Sequence, residues 1–312
     1  MPNTPRFAEH DPFASAFVLG TITQQSEREQ LKAFRALAAD LAPRDLQDLM
    51  SYPFFSLSKA KRTRPVDYHA GDITIRVEGT TEHGIATIWD ADVLIWAASQ
   101  IIEARDRGIA TSRLLVATPY EILGFIGRGT SGREYIGLRA AFDRLQSTTI
   151  ATSIRQPSSR RLHRFSWINE WKERATGDGR PLGLELIVPE WFYATTLDSS
   201  RILTLDRAYF ALTGGIERWL YRLARKHAGK QPDGWRFDFR HLHARSGSLA
   251  RYSDFAIDLR RIARTGLLSG YRMAIERSSR GAEVLHVRAA PRERIDRTVA
   301  HLAARFRIGD KL

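Results

Sequence analysis

Two rhythms alternate along this chain. Apolar residues spaced three or four apart mark amphipathic helices, and strict alternation marks strands with one buried face. SEREQLKAFRALAADLAPRDLQDLM puts Leu31, Phe34, Leu37, Ala38 and Leu41 on one helical face, which Pro43 interrupts. PFFSLSK then reads as a short strand. In DITIRVEG, Ile73, Ile75 and Val77 face one way and Asp72, Thr74, Arg76 and Glu78 the other, and GIATIW predicts a further strand. Asp90 is the expected N-cap of a helix over Ala91–Arg107, closed by Gly108, and RLLVA (113–117) is the next strand. TPYEILGFI carries a capping box, with Thr118 as N-cap, Pro119 at the first helical position and Glu121 reaching back. That helix runs to about Ile126. Ser131 and Glu134 predict the same device for a longer helix to about Gln146, with Tyr135, Leu138, Phe142 and Leu145 on one face. TTIATSIRQ and RLHRFSWINEWKER then predict two strands around the polar turn PSSR, a hairpin with a basic tip.

The same order returns downstream. LELIV is a strand, and LDRAYFALTGGIERWLYRLARKHAG is helical with a break at Gly214–Gly215. WRFDF is a strand, RHLHARS a short helix capped by Asp238, and Gly247 lies in the turn. SLARYSDFAIDLRRIARTG is the longer helix, and YRMAIERSSRGAEVLHVRAA the second hairpin. Core spacing agrees between the long helices when Tyr135, Leu138, Phe142 and Leu145 are set against Leu249, Tyr252, Ala256 and Leu259. Helix, turn, helix, hairpin is the winged helix-turn-helix arrangement. The pattern therefore predicts an α+β chain of two tandem winged helix-turn-helix domains related by internal duplication. Residues 1–45 are peripheral, 46–175 the first domain, and 182–290 the second. RATGDGRPLG (174–183) is the linker, and 291–312 a basic C-terminal helix or tail.

Composition bears on function. The 312 residues carry 48 basic against 35 acidic side chains, a net charge of +13. A field of that sign concentrates polyanions, with nucleic acid the commonest. Only Lys32, Lys59, Lys61, Lys172, Lys226, Lys230 and Lys311 are lysines. A GC-rich genome accounts for that preference for arginine but not for the sign of the net charge. A cluster, KAKRTR, spans Lys59 to Arg64. The absence of cysteine excludes disulfides and cysteine-ligated zinc or iron–sulfur sites. No stretch is long and apolar enough to span a bilayer, and the first residues do not read as a signal peptide, so a cytoplasmic location is expected.

The candidate chemistry centres on the helix pairs. GRGTSGRE contains G-x-G-x-x-G at Gly127, Gly129 and Gly132. A dinucleotide loop needs those glycines after a strand, whereas here a capped helix precedes them. A turn between helices explains all three through backbone freedom. The helix start at Ser131, flanked by Arg128 and Arg133, could hold a DNA phosphate. The outward face of the first long helix carries Arg133, Ile136, Ala140 and Arg144, with Arg139 beside them. That of the second carries Ser253, Asp254, Ile257, Arg261 and Arg264, with Arg260 beside them and Ser248 at its start. A major groove admits such a helix, and arginine is its commonest base reader. Either face alone reads equally well as a solvated surface with internal ion pairs, such as Arg251 with Asp254. The wings add Arg155, Arg160, Arg161 and Arg164, then Arg277 and Arg280, suited to phosphates or the minor groove.

Two rival motifs are weaker. HLH (241–243) resembles the metal-binding histidines of nucleases that nick DNA with a tyrosine, but a helix turns the two histidines roughly 200° apart. No lysine accompanies Tyr252. DAD (90–92) could pair carboxylates on a metal, yet helix capping explains it more simply. The seven tryptophans read as core. No catalytic residue, metal or cofactor is expected.

Longer stretches carry a resemblance. PFFSLSKAKRT, GIATIWDADVLIWAASQI, TPYEILGFIGRGTS, DRLQSTTIATSIRQP, RRLHRFSWINEWKE and LTGGIERWLYRLARKH resemble the replication initiator protein A family of bacterial plasmids, over about residues 46–290. The resemblance implies an initiator that binds repeated sites (iterons) in double-stranded origin DNA through two winged-helix domains. It also implies repression of its own gene by a dimer joined through the first domain. The host initiator and the replicative helicase are the implied partners. A transcriptional regulator on the same domains is the alternative.

Overall fold

The computed structural model describes residues 28–38, 40–156 and 162–290. It is an α+β chain with one hydrophobic core running from end to end of the described region. The first elements are β1 (Phe34–Arg35), β2 (Arg44–Leu46), α1 (Gln47–Ser51) and the hairpin β3 (Val66–Ala70) and β4 (Ile73–Glu78). Then come α2 (Ala91–Asp106), β5 (Leu114–Ala117), α3 (Pro119–Phe125), α4 (Gly132–Ser147), β6 (Thr149–Thr152) and β7 (His163–Ser166). A hairpin, β8 (Glu170–Ala175) and β9 (Pro181–Ile187), leads into α5 (Glu190–Thr196) and β10 (Ile202–Thr204). Last are α6 (Gly215–His227), β11 (Trp235–Asp238), α7 (Phe239–Ser246), α8 (Tyr252–Arg264), β12 (Leu267–Leu268), β13 (Tyr271–Arg277) and β14 (Glu283–Ala289).

The order helix, strand, helix, helix, hairpin thus occurs twice, over α2–β7 and over α6–β14. Local chemistry sets the helix starts. Thr118 and Glu121 exchange side-chain and backbone hydrogen bonds in a complete capping box, and the Asp238 carboxylate accepts from the His241 amide at 3.0 Å. The expected box at Ser131 does not form, because its side chain makes no cap bond. Buried positions place the two long helices in register as Tyr135, Leu138, Phe142 and Leu145 against Tyr252, Phe255, Leu259 and Ile262. The sequence match slips by three residues because it starts from Leu249, which is apolar but lies exposed in the turn before α8.

Four other expectations change. The helix through Leu31–Leu41 is replaced around Phe34–Arg35 by β1, which pairs parallel with Leu115–Val116. PFFSLSK and GIATIW are apolar because they are buried, but they share only a bridge at Ser56 and Thr87 and form no strands. Asp90 has helical dihedrals and does not cap α2. RATGDGRPLG is a hairpin turn, not a linker: β8 pairs with β9 across it, and β9 pairs with β5. Gly183 serves close approach there, since a Cβ would lie 2.6 Å from the Ala117 carbonyl oxygen.

The two halves are joined by more than the chain. β2 pairs antiparallel with β10. Arg222 on α6 bonds Asp45 at 2.8 Å, and Arg218 bonds both Asp92 carboxylate oxygens at 2.8 and 2.9 Å, all four groups being buried. Arg62 donates to the Gly247 carbonyl at 2.6 Å, so the KAKRTR segment braces the turn between α7 and α8. Among the described residues no helix is long and apolar enough to cross a membrane.

Candidate nucleic-acid interface

Both helix pairs present an outward face, but only part of each cationic set stays on it. On α4, Arg133 is exposed and has no partner among the described residues; Ser131 beside it is exposed too. Arg139 is exposed and pairs with Glu173 at 2.6 Å, a contact that solvent weakens. Arg144 does not face outward as expected. Its guanidinium makes two 2.7 Å hydrogen bonds to the buried Asp90 carboxylate at the start of α2. Those bonds and Asp90 hold the Arg144 guanidinium above its usual range, against its partial burial. Arg128 also turns inward, to the Trp89 carbonyl at 3.2 Å and to Asp92 at 3.3 Å.

The DAD segment is therefore neither a metal pair nor a cap. Asp90 neutralises Arg144, and Asp92 is shared between Arg218 and the more distant Arg128. Burial pushes the Asp92 carboxyl up from its ordinary value, and the two arginines pull it back. GRGTSGRE is the turn between α3 and α4. Of its three glycines only Gly127 has left-handed backbone, with φ +70°. Gly127 and Arg128 line a cleft of about 930 Å³ between the halves, into which Lys59, Lys61, Glu82, Asp90 and Glu134 also point charges of mixed sign. The Lys59 and Lys61 ammonium groups there are exposed, and the basic run KAKRTR is the signal that could have placed them among the candidates.

On the first hairpin, Arg164 on β7 is exposed without a partner among the described residues, and Arg160 and Arg161 lie outside those residues. Arg155 is a correction. It lies 3.5 Å over the Trp191 ring, with Asp48 at 3.1 Å, and burial brings its guanidinium down to about 10. It fastens the hairpin base to α5 and α1 rather than standing free on the wing.

On α8, Arg264 is exposed with no partner among the described residues, and Ser253 is exposed beside Asp254. The expected pair of Arg251 with Asp254 does not form; Arg251 stays exposed. Arg261 bonds Asp258 at 3.1 Å and approaches Glu217 at 4.0 Å, yet stays mostly exposed. Arg260 makes two hydrogen bonds, of 2.9 and 2.6 Å, to Glu283 on β14, which ties the helix to its hairpin and holds the Glu283 carboxyl below its ordinary range. Ser248 is used in the turn, its hydroxyl accepting from the Ala250 amide. Arg277 and Arg280 stand exposed at the second hairpin tip.

His241 and His243 do not act together. His241 is exposed, while His243 Nε2 lies 2.8 Å from the Ala250 carbonyl oxygen and its ring packs on Phe255. Trp235 is the one tryptophan well exposed, on the edge strand β11, where it packs on His227.

A sequence profile of replication initiator protein A matches residues 44–273. The chain belongs to the replication initiator protein A family. The match begins at the first residue of β2 and ends inside β13, so it takes in both helix pairs of this family member. A protein of Wigglesworthia glossinidia brevipalpis, named provisionally as a replication protein, is 33% identical over 226 residues, covering 71% of this chain and 81% of that one. Two crystal structures of domains 2 and 3 of RctB share the fold. One has a TM-score of 0.57 at 13% identity and covers 78% of this chain and 98% of its own. The other has 0.50 at 13%, covering 76% and 95%. Family membership puts the chain in replication initiation.

Proposed function

We propose that this chain initiates plasmid replication by binding repeated double-stranded sites at an origin through two winged-helix units, and that it acts by binding rather than by catalysis. The observation that carries this reading is the repeated element order, with a second helix in each copy that keeps an exposed, unneutralised arginine outward: Arg133 on α4 and Arg264 on α8. A helix of this size enters a major groove, where arginine reads guanine, while hairpin-tip arginines such as Arg164, Arg277 and Arg280 meet phosphates. Because the halves are joined by buried ion pairs and a shared two-stranded sheet, both helices act on one stretch of duplex. A footprint of roughly two helical turns per monomer follows. Binding to repeats near its own promoter would repress the gene. A second copy, the host initiator and the replicative helicase are the protein partners that this role requires.

Footprinting the DNA that flanks the gene is the test. Protection of direct repeats, each over about two turns, supports the reading. Equal affinity for those repeats and for unrelated DNA, or a half-turn footprint unchanged by Arg264→Ala, overturns it.

A further inference from the structure

The four most exposed large apolar side chains among the described residues are Ile136 at 68%, Tyr120 at 65%, Ile257 at 59% and Leu249 at 54%. They are not scattered. Tyr120 is on α3 and Ile136 on α4; Leu249 is in the turn before α8 and Ile257 is on α8. Each helix pair thus exposes two, one of them on the outward face of its second helix. Single exposed apolar residues are ordinary, and others lie elsewhere at lower exposure, so the weight rests on Ile136 and Ile257, which occupy the outward faces of the two second helices.

The chemistry around the two isoleucines selects a partner. A protein partner would call for a contiguous apolar patch of several hundred square ångströms. Ile136 stands instead between Arg133 and Arg139, and Ile257 between Ser253 and Arg261, all exposed polar side chains. Ile136 is thus framed by cations, and Ile257 has Arg261 on one side and Ser253 with the exposed Asp254 on the other. An isolated aliphatic group among cationic and polar side chains suits a surface that is anionic at its edges and carries isolated methyl groups within. The major groove is such a surface, since thymine is the only base that presents a methyl there.

We propose that Ile136 and Ile257 are specificity-determining residues, each packing on the C5-methyl group of a thymine in the bound repeat. This rests on the reading of α4 and α8 as the helices that enter the groove. In the aligned register Ile257 corresponds to Ala140, one turn along from Ile136. The two thymines therefore lie at different offsets within their respective half-sites.

Replacing thymine by deoxyuridine removes the methyl and leaves every hydrogen-bonding group. The probe is the origin repeat, with each thymine changed singly to deoxyuridine, bound by the full-length protein. One position in each half of the footprint should weaken wild-type binding about fourfold, the worth of one buried methyl group. Ile136→Ala should erase the discrimination in one half and Ile257→Ala in the other, with circular dichroism unchanged. Ile136→Val, which keeps a branched aliphatic group, should retain it. Wild-type protein that discriminates at no position, or discrimination that survives both alanine variants, overturns the proposal. Wild-type protein that binds the repeat no better than unrelated DNA overturns instead the reading of α4 and α8, and the proposal with it.

Discussion

In the second half, the strand that precedes the helix pair stays at home: β11 pairs with β14, beside the hairpin that follows α8. In the first half the corresponding strand, β5, leaves. It lies between β1 and β9 in a separate sheet of order β1-β5-β9-β8, and the hairpin sheet is completed by β3 and β4 instead. Arg144 and Arg261 carry the same contrast to single residues. They occupy matching positions, six residues after Leu138 and Phe255. Arg144 is locked onto the buried Asp90, whereas Arg261 rests on surface carboxylates. One order of elements has therefore been put to two uses. The first half is built into the scaffold, and the second closes on itself and keeps more of its second helix open. A side chain's role follows from what packs against its helix, not from its place along the helix.

The largest expected effect tests whether the halves form one body. Arg222→Ala leaves Asp45 buried and uncompensated, which should cost about 3–5 kcal/mol in a urea titration, while joint replacement of Arg222 and Asp45 by apolar residues should recover most of it. Unfolding should remain a single transition, and two separated transitions would break the picture of a fused core. Next comes the matched pair. Arg144→Ala should lose about 2–4 kcal/mol of stability, since Asp90 stays buried, whereas Arg261→Ala should change stability by less than about 0.5 kcal/mol. In DNA binding the order reverses: Arg261→Ala should weaken the specific complex by about 1–3 kcal/mol. Equal stability losses in the two variants would remove the contrast.

A smaller effect concerns pH. Burial against Trp235 and Phe237, aided by nearby Arg245 and Lys226, brings the His227 imidazole down to about 4. The unfolded chain then takes up the proton first as pH falls. The stabilisation is complete above about 6.5 and is lost between there and about 4. His227→Phe should flatten that part of the Tm profile; an unchanged slope would count against it. Smallest of all, Arg164→Ala should lower affinity for all duplexes alike and reduce the salt slope by about one. A loss confined to the specific site would mean that Arg164 reads a base.

Much of the fold was legible because it rests on neighbours a few residues apart. The Thr118 capping box, the Asp238 cap, the alternation of Ile73, Ile75 and Val77, and both hairpins all depend on such short-range chemistry. The exposed isoleucines on the two long helices were visible in the same way. The failures share another cause. Phe34 keeps a helical spacing but joins a sheet because Leu115 lies alongside. The Gly-rich turn at 176–180 reads as a linker because its pairing partners are in the strands on either side and in β5. Arg128, Arg144 and Arg155 read as free cations because the carboxylates and ring that hold them lie 36, 54 and 36 residues away.

Caps, alternation and charge balance along the chain were enough to define the repeated order of elements, the starts of α3 and α7 and the net positive charge. Strand partners and the neutralisation of particular arginines were settled only on folding. A buried cation takes whichever carboxylate the packed core brings within reach. For Arg218 and Arg222 those carboxylates stand 126 and 177 residues away, a distance over which no local pattern carries information.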